Sequence, residues 1–241
     1  MRCIMTEEKK EQTTEEEQTT EESSLFKVTL DQGDLSPTPD KSRTIALYED
    51  LSEESASDLI GALLFLHETG HHEELEETEK AEEKADNEEK AETEDETEKY
   101  KKVWEPIRIV VSSNGGSAHE MFAVYDAMRI VKKDCELETL GLGKVMSAAV
   151  LILAAGTKGK RKIGMNCRVM LHPVAGGAIG DLQDIENDTA EIKRLQKQYV
   201  KCLATETNLS EKRIRTILNK KLNYYISAEE AVKVGIADEI I

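Results

Sequence analysis

The sequence predicts an α/β domain in its C-terminal half, and two observations lead to this prediction. From Trp104 onward, stretches typical of buried strands alternate with stretches of helical periodicity, an order typical of α/β folds. Charge is also unevenly placed: residues 1–105 contain 12 Lys and Arg against 33 Asp and Glu, whereas residues 106–241 contain 20 against 16. A folded domain is therefore expected in the second part, preceded by acidic and partly non-globular sequence.

Two acidic segments are expected to lie outside the core. Residues 1–40 start with a run rich in Glu, Thr and Gln and predict a largely disordered N-terminal region, apart from a short strand over 25–30. Residues 71–102 contain no Gly or Pro and almost no large apolar residue, which predicts a solvated insertion, either an exposed charged helix or disordered chain. The folded domain is expected over 41–241, interrupted by this acidic insertion.

The first folded elements are a strand and an amphipathic helix. The stretch "RTIALYEDLS" predicts the strand, and the helix after it is predicted to end at Gly70. Its apolar residues recur at helical spacing: Leu59, Ile60, Leu63, Leu64 and Leu66.

The second half predicts further strands and helices in turn. Residues 106–113, "PIRIVVSS", are apolar enough to predict a strand buried on both faces. A capping box, Ser227 with Glu230, opens a late helix that is predicted to stop at Gly235 before a final strand. Between these, strands are predicted over 136–143, 160–165 and 168–174, and helices over 118–133, 147–156, 181–207 and 209–221.

Composition excludes several classes of protein. The net charge of −17 disfavours nucleic acid and anionic membranes as partners. The four cysteines are far apart and no His cluster has metal-ligand spacing, so free thiols, no metal and no cofactor are expected. The N-terminus has no apolar signal segment, and the longest apolar run, Val145 to Ala155, is too short to cross a bilayer. A cytoplasmic protein is expected.

Four features together suggest hydrolytic chemistry, although each alone is weak. Ser147 precedes a buried helix, where it is an N-cap, a small residue at a tight contact, or a nucleophile served by the positive end of the helix. Gly115–Gly116 follow a buried strand, His172 ends another, and Asn223 lies in a polar turn. A serine hydrolase needs a nucleophile, a base, a group orienting that base, and oxyanion donors.

Three blocks carry a family resemblance that makes this hypothesis concrete. They are "SSNGGSAHEMFAVYDAMRIVKKD", "GKVMSAAVLILAAGTKGKRKIGMNCRVMLHPVAGGAIGDLQDIE" and "YYISAEEAVKVGIADEII". The chain resembles the ClpP family, the proteolytic subunits of Clp proteases, over about residues 41–70 and 104–241. The resemblance implies a ClpP/crotonase-type fold of repeated β-β-α units with a protruding handle helix. It also implies stacked heptameric rings, a tetradecamer, that enclose a proteolytic chamber served by an AAA+ unfoldase such as ClpX or ClpA.

The resemblance also implies roles for individual residues. Ser147 corresponds to the nucleophile, His172 to the general base and Asn223 to the third member of the triad. Backbone N–H groups of Gly116 and Ala148 correspond to the oxyanion hole. The handle strand, on which an extended substrate pairs, corresponds to Gly176, Gly177, Ile179 and Gly180.

The chain departs from the family pattern in the triad and at the unfoldase surface. Asn223 stands where the family usually has Asp, and this change costs about 10⁴ in rate in a serine protease, so a working but slower hydrolase is expected. Aromatic residues that help bind the unfoldase, and the Pro of the glycine turn, are also replaced. The residues at these positions are Arg108, Val110, Ile130 and Asn114.

Two alternatives remain beside an active ClpP-type endopeptidase. The first is a catalytically weak or inactive ring subunit that modulates another peptidase, which Asn223 favours and the presence of both Ser147 and His172 disfavours. The second is a crotonase-like acyl-CoA enzyme on the same fold, which needs no paired Ser and His.

Overall fold

The computed structural model describes residues 43–75, 100–220 and 223–241. The predicted disordered region, the strand predicted over 25–30 and most of the acidic insertion lie outside these residues. The described elements, in chain order, are β1 (Thr44–Leu47), α1 (Glu53–Thr69), β2 (His71–Leu75), β3 (Tyr100–Trp104), β4 (Ile107–Ser113), α2 (Ala118–Val131), β5 (Leu137–Met146), α3 (Ala148–Ala154), β6 (Arg161–Ile163), β7 (Arg168–Leu171), α4 (Leu182–Glu206), α5 (Glu211–Leu218), β8 (Tyr224–Ile226), α6 (Ala228–Lys233) and β9 (Glu239–Ile240). The predicted α/β class is confirmed.

The main sheet of the described chain forks at β5. Strands β1, β4, β5, β6 and β9 form a parallel path. Beyond β6, the far end of β5 pairs instead with β7, which pairs antiparallel with β8. The sequence predicted that β5 would end at Gly143, but pairing of Lys144–Met146 with β7 continues the strand to the residue before Ser147.

The core lies between this sheet and its helices. All seven residues of α3 are buried, as the apolar run predicted. Strand β4 differs from its prediction, because Ile107, Ile109 and Val111 are fully buried while Arg108 on the other face is exposed. The strand is therefore buried on one face, and the ion pair of Arg108 with Glu138 at 2.9 Å satisfies its charge on the other.

Local side-chain chemistry fixes several helix ends. Ser52 and Ser55 form a capping box at α1, and Ser227 and Glu230 form the predicted one at α6. Gly235 follows α6 with φ of +76°, a conformation that favours glycine, and so ends the helix where the sequence predicted. No helix among the described residues is long and apolar enough to cross a membrane.

The boundaries of the acidic insertion differ from the prediction. His71–Leu75 and Tyr100–Trp104 pair as antiparallel strands, with Leu75 opposite Tyr100, whereas the sequence predicted exposed helix or disordered chain over 71–102. The Trp104 ring stacks on His67 of α1, with 5.7 Å between ring centroids and an angle of 9° between the rings. The rings of His67 and His71 pack on Trp104, a contact that composition cannot predict, and this packing favours strands at both ends of the insertion.

A buried polar network joins β6 to the C-terminal elements. Arg161, 4% exposed, pairs with both carboxylate oxygens of Asp238. Its guanidinium also donates to the backbone carbonyls of Ala154, Glu206 and Gly235. A buried charge requires such complete pairing, so this network fixes where α4, α6 and β9 meet.

Candidate active site

Ser147 occupies a strained turn between a strand and a helix. It directly follows β5 and precedes α3, with φ of +55° and ψ of −121°, and it is the one described non-glycine residue with positive φ. Its backbone N–H donates to the carbonyl of Met170 in β7 at 2.8 Å. Such strain persists only where the surroundings impose it, and here it presents the side chain at the end of the sheet.

The side chain of Ser147 bonds to His172 and does not cap the helix. Its Oγ lies 2.6 Å from Nε2 of His172, whereas it makes no hydrogen bond to the first turn of α3. His172 comes one residue after β7, whose parallel register places Met170 beside Met146 and thus brings both residues to one edge. Ser147 thus stands at the N-cap position of α3, but its side chain does not cap the helix.

Asn223 lies opposite His172, where strand β7 ends and strand β8 begins. The antiparallel register of β7 and β8 pairs Leu171 with Tyr224, so the next position along the ladder sets His172 opposite Asn223. Asn223 is exposed, and no hydrogen bond joins it to another residue in the described part of the chain. The strand register sets the two residues opposite each other, without the side-chain hydrogen bond that a triad requires.

The glycine turn packs directly against Ser147. A Cβ atom on Gly115 would lie 2.5 Å from Cβ of Ser147, and one on Gly116 would lie 2.3 Å from the carbonyl oxygen of Leu51. Both glycines also have positive φ, +107° and +137°. These close approaches explain why the chain carries two glycines here.

Three groups outside the turn hold it in place. The N–H of Leu51 donates to the carbonyl of Gly115 at 2.6 Å, and the N–H of Gly115 donates to Oγ of the buried Ser113 at 3.0 Å. The N–H of Asn114 donates to Oδ1 of Asp50 at 3.1 Å. With the turn fixed in this way, the N–H of Gly116 makes no hydrogen bond to another described residue.

The backbone N–H of Ala148 is also without an acceptor among the described residues. As the first residue of α3, Ala148 is one of the positions whose N–H has no partner within the helix. The structure thus places two unpaired donors, of Gly116 and Ala148, on the walls of the cleft that contains Ser147. Unpaired donors beside a nucleophile are suited to a developing oxyanion.

A cleft of about 460 Å³ contains Ser147 and His172. The predicted handle residues divide here: Gly176 and Gly177 line the cleft, whereas Ile179 is fully exposed and Gly180 packs on Asp184. The expected handle strand is not formed in the described chain, because residues 173–179 have no strand partner.

Charged groups also line the cleft. Glu191 on α4 lies 3.7 Å from Nε2 of His119, and Arg194 binds it through two hydrogen bonds of 2.6 and 2.8 Å. The hydrogen bonds and charge of Arg194 lower the pKa of Glu191. In the described residues no group of His, Cys, Asp and Glu has the arrangement of a metal site.

Sequence reasoning missed Tyr199, Ser113 and Asp50. The hydroxyl of Tyr199, on α4, donates to the backbone carbonyl of Ser147 at 3.0 Å. A tyrosine within the predicted long helix was a usable signal, because a tyrosine hydroxyl that becomes buried needs a partner. No local pattern identifies that partner 52 residues away.

Comparison with known proteins places this geometry in a family. The family model described as Clp protease matches residues 97–241, which include Ser147, His172, Asn223 and both glycines of the turn. The chain belongs to the Clp protease family. The match does not extend to residues 41–70, the upstream part of the resemblance.

Several curated members of the Clp protease family are similar to the chain over 135 residues. The ATP-dependent Clp protease proteolytic subunit 2 of Corynebacterium jeikeium is 38% identical, over 56% of this chain and 63% of that protein. Subunit 1 of Corynebacterium glutamicum is 36% identical over the same shares, and subunit 2 of Chlamydia trachomatis serovar D is 36% identical over 56% and 64%. The chain thus spans less than two thirds of these relatives.

Proposed function

We propose that the chain is a serine endopeptidase of the Clp type, which hydrolyses peptide bonds of unfolded proteins or peptides. One observation carries the proposal: the 2.6 Å contact between Oγ of Ser147 and Nε2 of His172, at a strained turn in a cleft. A nucleophile within hydrogen-bond reach of a base is the arrangement that acyl transfer requires. Family membership supports the same reaction class.

The reaction begins with proton transfer between these two side chains. Ser147 Oγ attacks the substrate carbonyl carbon while its proton passes to Nε2 of His172, and the carbonyl electron pair moves to oxygen. The N–H groups of Gly116 and Ala148 stabilise that oxyanion. The C–N bond then breaks as His172 protonates the leaving amine, which leaves the acyl group on Ser147. Water then attacks this acyl group while His172 takes its proton, and the bond to Ser147 Oγ breaks as His172 returns the proton to the serine.

Asn223 is proposed as the third member of the triad. In this role its side chain would turn so that its carbonyl oxygen accepts from Nδ1–H of His172, a hydrogen bond that the described structure does not contain; it would keep the tautomer in which Nε2 accepts the Ser147 proton. The amide has no negative charge to stabilise the imidazolium, so the triad is weaker than one with Asp.

The segment that contains Gly176, Gly177, Ile179 and Gly180 is proposed to bind the substrate backbone. Residues 173–179 have no strand partner in the described chain, and two of the glycines line the cleft. An extended peptide that pairs with this backbone would be positioned by main-chain hydrogen bonds, a mode that tolerates many sequences.

Assembly and partners are proposed from the family. We expect heptameric rings stacked as a tetradecamer in the cytoplasm, with an AAA+ unfoldase such as ClpX or ClpA supplying substrates; the relatives are named as ATP-dependent. Exposed Arg108 and Ile130, in place of aromatic residues, alter the surface for such an unfoldase. The free thiols of Cys135, Cys167 and Cys202 suit a reducing compartment.

Covalent labelling with a fluorophosphonate probe tests the proposal. The native protein is compared with Ser147→Ala and Asn223→Asp, with assembly and folding monitored by gel filtration and circular dichroism. We expect the native chain to be labelled at Ser147, Ser147→Ala to remain unlabelled, and Asn223→Asp to be labelled at least tenfold faster, because the added charge stabilises the imidazolium.

Two other results have different meanings. Labelling that appears only in Asn223→Asp would indicate a ring subunit without catalysis of its own. Absence of labelling from every folded form would overturn the peptidase proposal.

A further inference from the structure

We propose that Tyr199 is a positioning residue that aims the oxyanion donor of Ala148. This inference rests on the proposed function and adds a residue outside the triad to its machinery. The observation behind it is the 3.0 Å hydrogen bond from the Tyr199 hydroxyl to the backbone carbonyl of Ser147.

The carbonyl of Ser147 and the N–H of Ala148 belong to the same peptide group. A trans peptide is planar, so its C=O and N–H point in opposite directions, and fixing one fixes the other. Tyr199 lines the same cleft, and its hydroxyl fixes the C=O and thereby the opposite direction of the N–H of Ala148. The hydrogen bond also polarises the peptide group, which strengthens its N–H as a donor.

This peptide group needs such support because Ser147 is strained. A non-glycine residue with φ of +55° gains energy by relaxing, and rotation of the peptide after it would turn the Ala148 donor away from the oxyanion. The N–H of Ser147 is held by Met170, and its carbonyl is held by Tyr199 and by the N–H of Val150 at 3.1 Å. Both sides of the strained residue are therefore fixed.

Tyr199 is itself held rigidly. It is 3% exposed and lies on the half of α4 that packs into the core, between buried Leu195 and Leu203. Burial raises the pKa of the Tyr199 phenol above its ordinary value, so the hydroxyl keeps its proton at any pH at which the protein works. The donor is therefore both fixed in space and constant in charge.

The test uses Tyr199→Phe, with Tyr125→Phe as its matched control. Tyr125 is also 3% exposed, and its hydroxyl donates to Oε1 of Glu206 at 2.8 Å, outside the cleft. Both variants lose one buried hydroxyl and keep the ring. The Tyr125 hydroxyl bonds a buried carboxylate and also accepts from Arg129 at 3.3 Å, so Tyr125→Phe is expected to destabilise the fold at least as much as Tyr199→Phe. Fluorophosphonate labelling rates, and kcat and KM for a fluorogenic peptide, are measured for each protein, with thermal unfolding to establish that each is folded.

We expect Tyr199→Phe to lower kcat and the labelling rate constant about five- to tenfold with KM unchanged, a smaller loss than deleting an oxyanion donor causes. Affinity for a peptide boronic acid, whose adduct places an oxygen among the oxyanion donors, should fall by the same factor. Tyr125→Phe should leave all of these within twofold of the native protein.

Two results would overturn the inference. If the native chain is labelled at Ser147 but Tyr199→Phe and Tyr125→Phe behave alike, Tyr199 is structural only and the proposed function stands. If the folded native chain is not labelled, the proposed function fails and this inference fails with it.

Discussion

At the scale of single residues, the site depends on backbone conformations that cannot be read from side-chain patterns. From the sequence, Ser147 was a helix cap, a small residue at a tight contact or a nucleophile. Its 2.6 Å contact with His172 is the observation that favours the last of these. Gly115 was recognisable as a turn residue. Its approach to Cβ of Ser147, which joins the glycine turn to the proposed nucleophile, depends on the three-dimensional fold.

Substitution of Gly115 by Ala tests that contact. The new Cβ would lie 2.5 Å from Cβ of Ser147 at φ of +107°, so we expect Gly115→Ala to destabilise the fold by about 2 kcal/mol and to abolish labelling of Ser147. Urea unfolding and fluorophosphonate labelling measure the two effects.

Gly61 supplies the control for that substitution. It lies within α1 with no heavy atom inside 4 Å of an added Cβ, so Gly61→Ala should stabilise the protein by about 0.5–1 kcal/mol and leave labelling unchanged. Native labelling in folded Gly115→Ala would refute the tight contact.

At the scale of helices and strands, local sequence patterns predicted the helices. They did not predict strand segments whose partners lie far away in the chain. The helices α1, α2, α3 and α4 and the capping box of α6 follow from spacing and caps. The last residues of β5 and the pair β2–β3 do not, because their strand partners lie elsewhere in the chain. Tyr199 was missed for the same reason.

The ion pair between β6 and the segment before β9 gives a prediction at this scale. Asp238→Asn leaves the guanidinium of Arg161 buried without a counter-charge, so we expect a loss of about 3 kcal/mol of unfolding free energy at neutral pH. Glu211→Gln, which removes an exposed pair with Arg215, should cost less than about 0.5 kcal/mol.

The pH dependence of the same pair has a definite sign. Partial burial alone would raise the pKa of Asp238, but hydrogen bonds from Arg161 and its charge outweigh it and lower the pKa. Because the pKa of Asp238 is lower in the folded state, its ionised carboxylate contributes fully to the free energy of unfolding above the unfolded-state pKa of about 3.9. This contribution is lost as pH falls from that value through the folded-state pKa. Native protein and Asp238→Asn should therefore converge in stability below about pH 3.9; a gap that stays constant down to pH 2 would contradict this account.

At the scale of the whole molecule, charge and fold are separate properties. Residues 76–99 contain 13 acidic and 4 basic residues, whereas the strands at either end pair in a regular antiparallel register. The segment therefore sets much of the net charge of −17, while β2 and β3 attach it to the domain.

Replacing residues 76–99 by Asn-Gly tests whether the domain depends on them. Leu75 lies opposite Tyr100, so a two-residue turn fits the register. A shorter loop costs less entropy to close when the chain folds. We therefore expect the free energy of unfolding to stay equal or to rise by up to about 2 kcal/mol, with unchanged labelling of Ser147.

A full-length variant with every Glu in 76–99 replaced by Gln separates charge from length. Loss of cooperative unfolding in the Asn-Gly variant alone would show that the segment's length, and not its charge, supports the domain.

The stacking of Trp104 on His67 has a consequence for spectroscopy. Trp104 is the single tryptophan of the sequence, and it ends β3, directly after the acidic segment. Emission excited at wavelengths that tyrosine does not absorb therefore comes from one known place, the base of the insertion, with two histidine rings 5.7 Å away. The chain carries a built-in optical reporter for events at the acidic segment, and its signal can be followed without a label and separately from chemistry at Ser147.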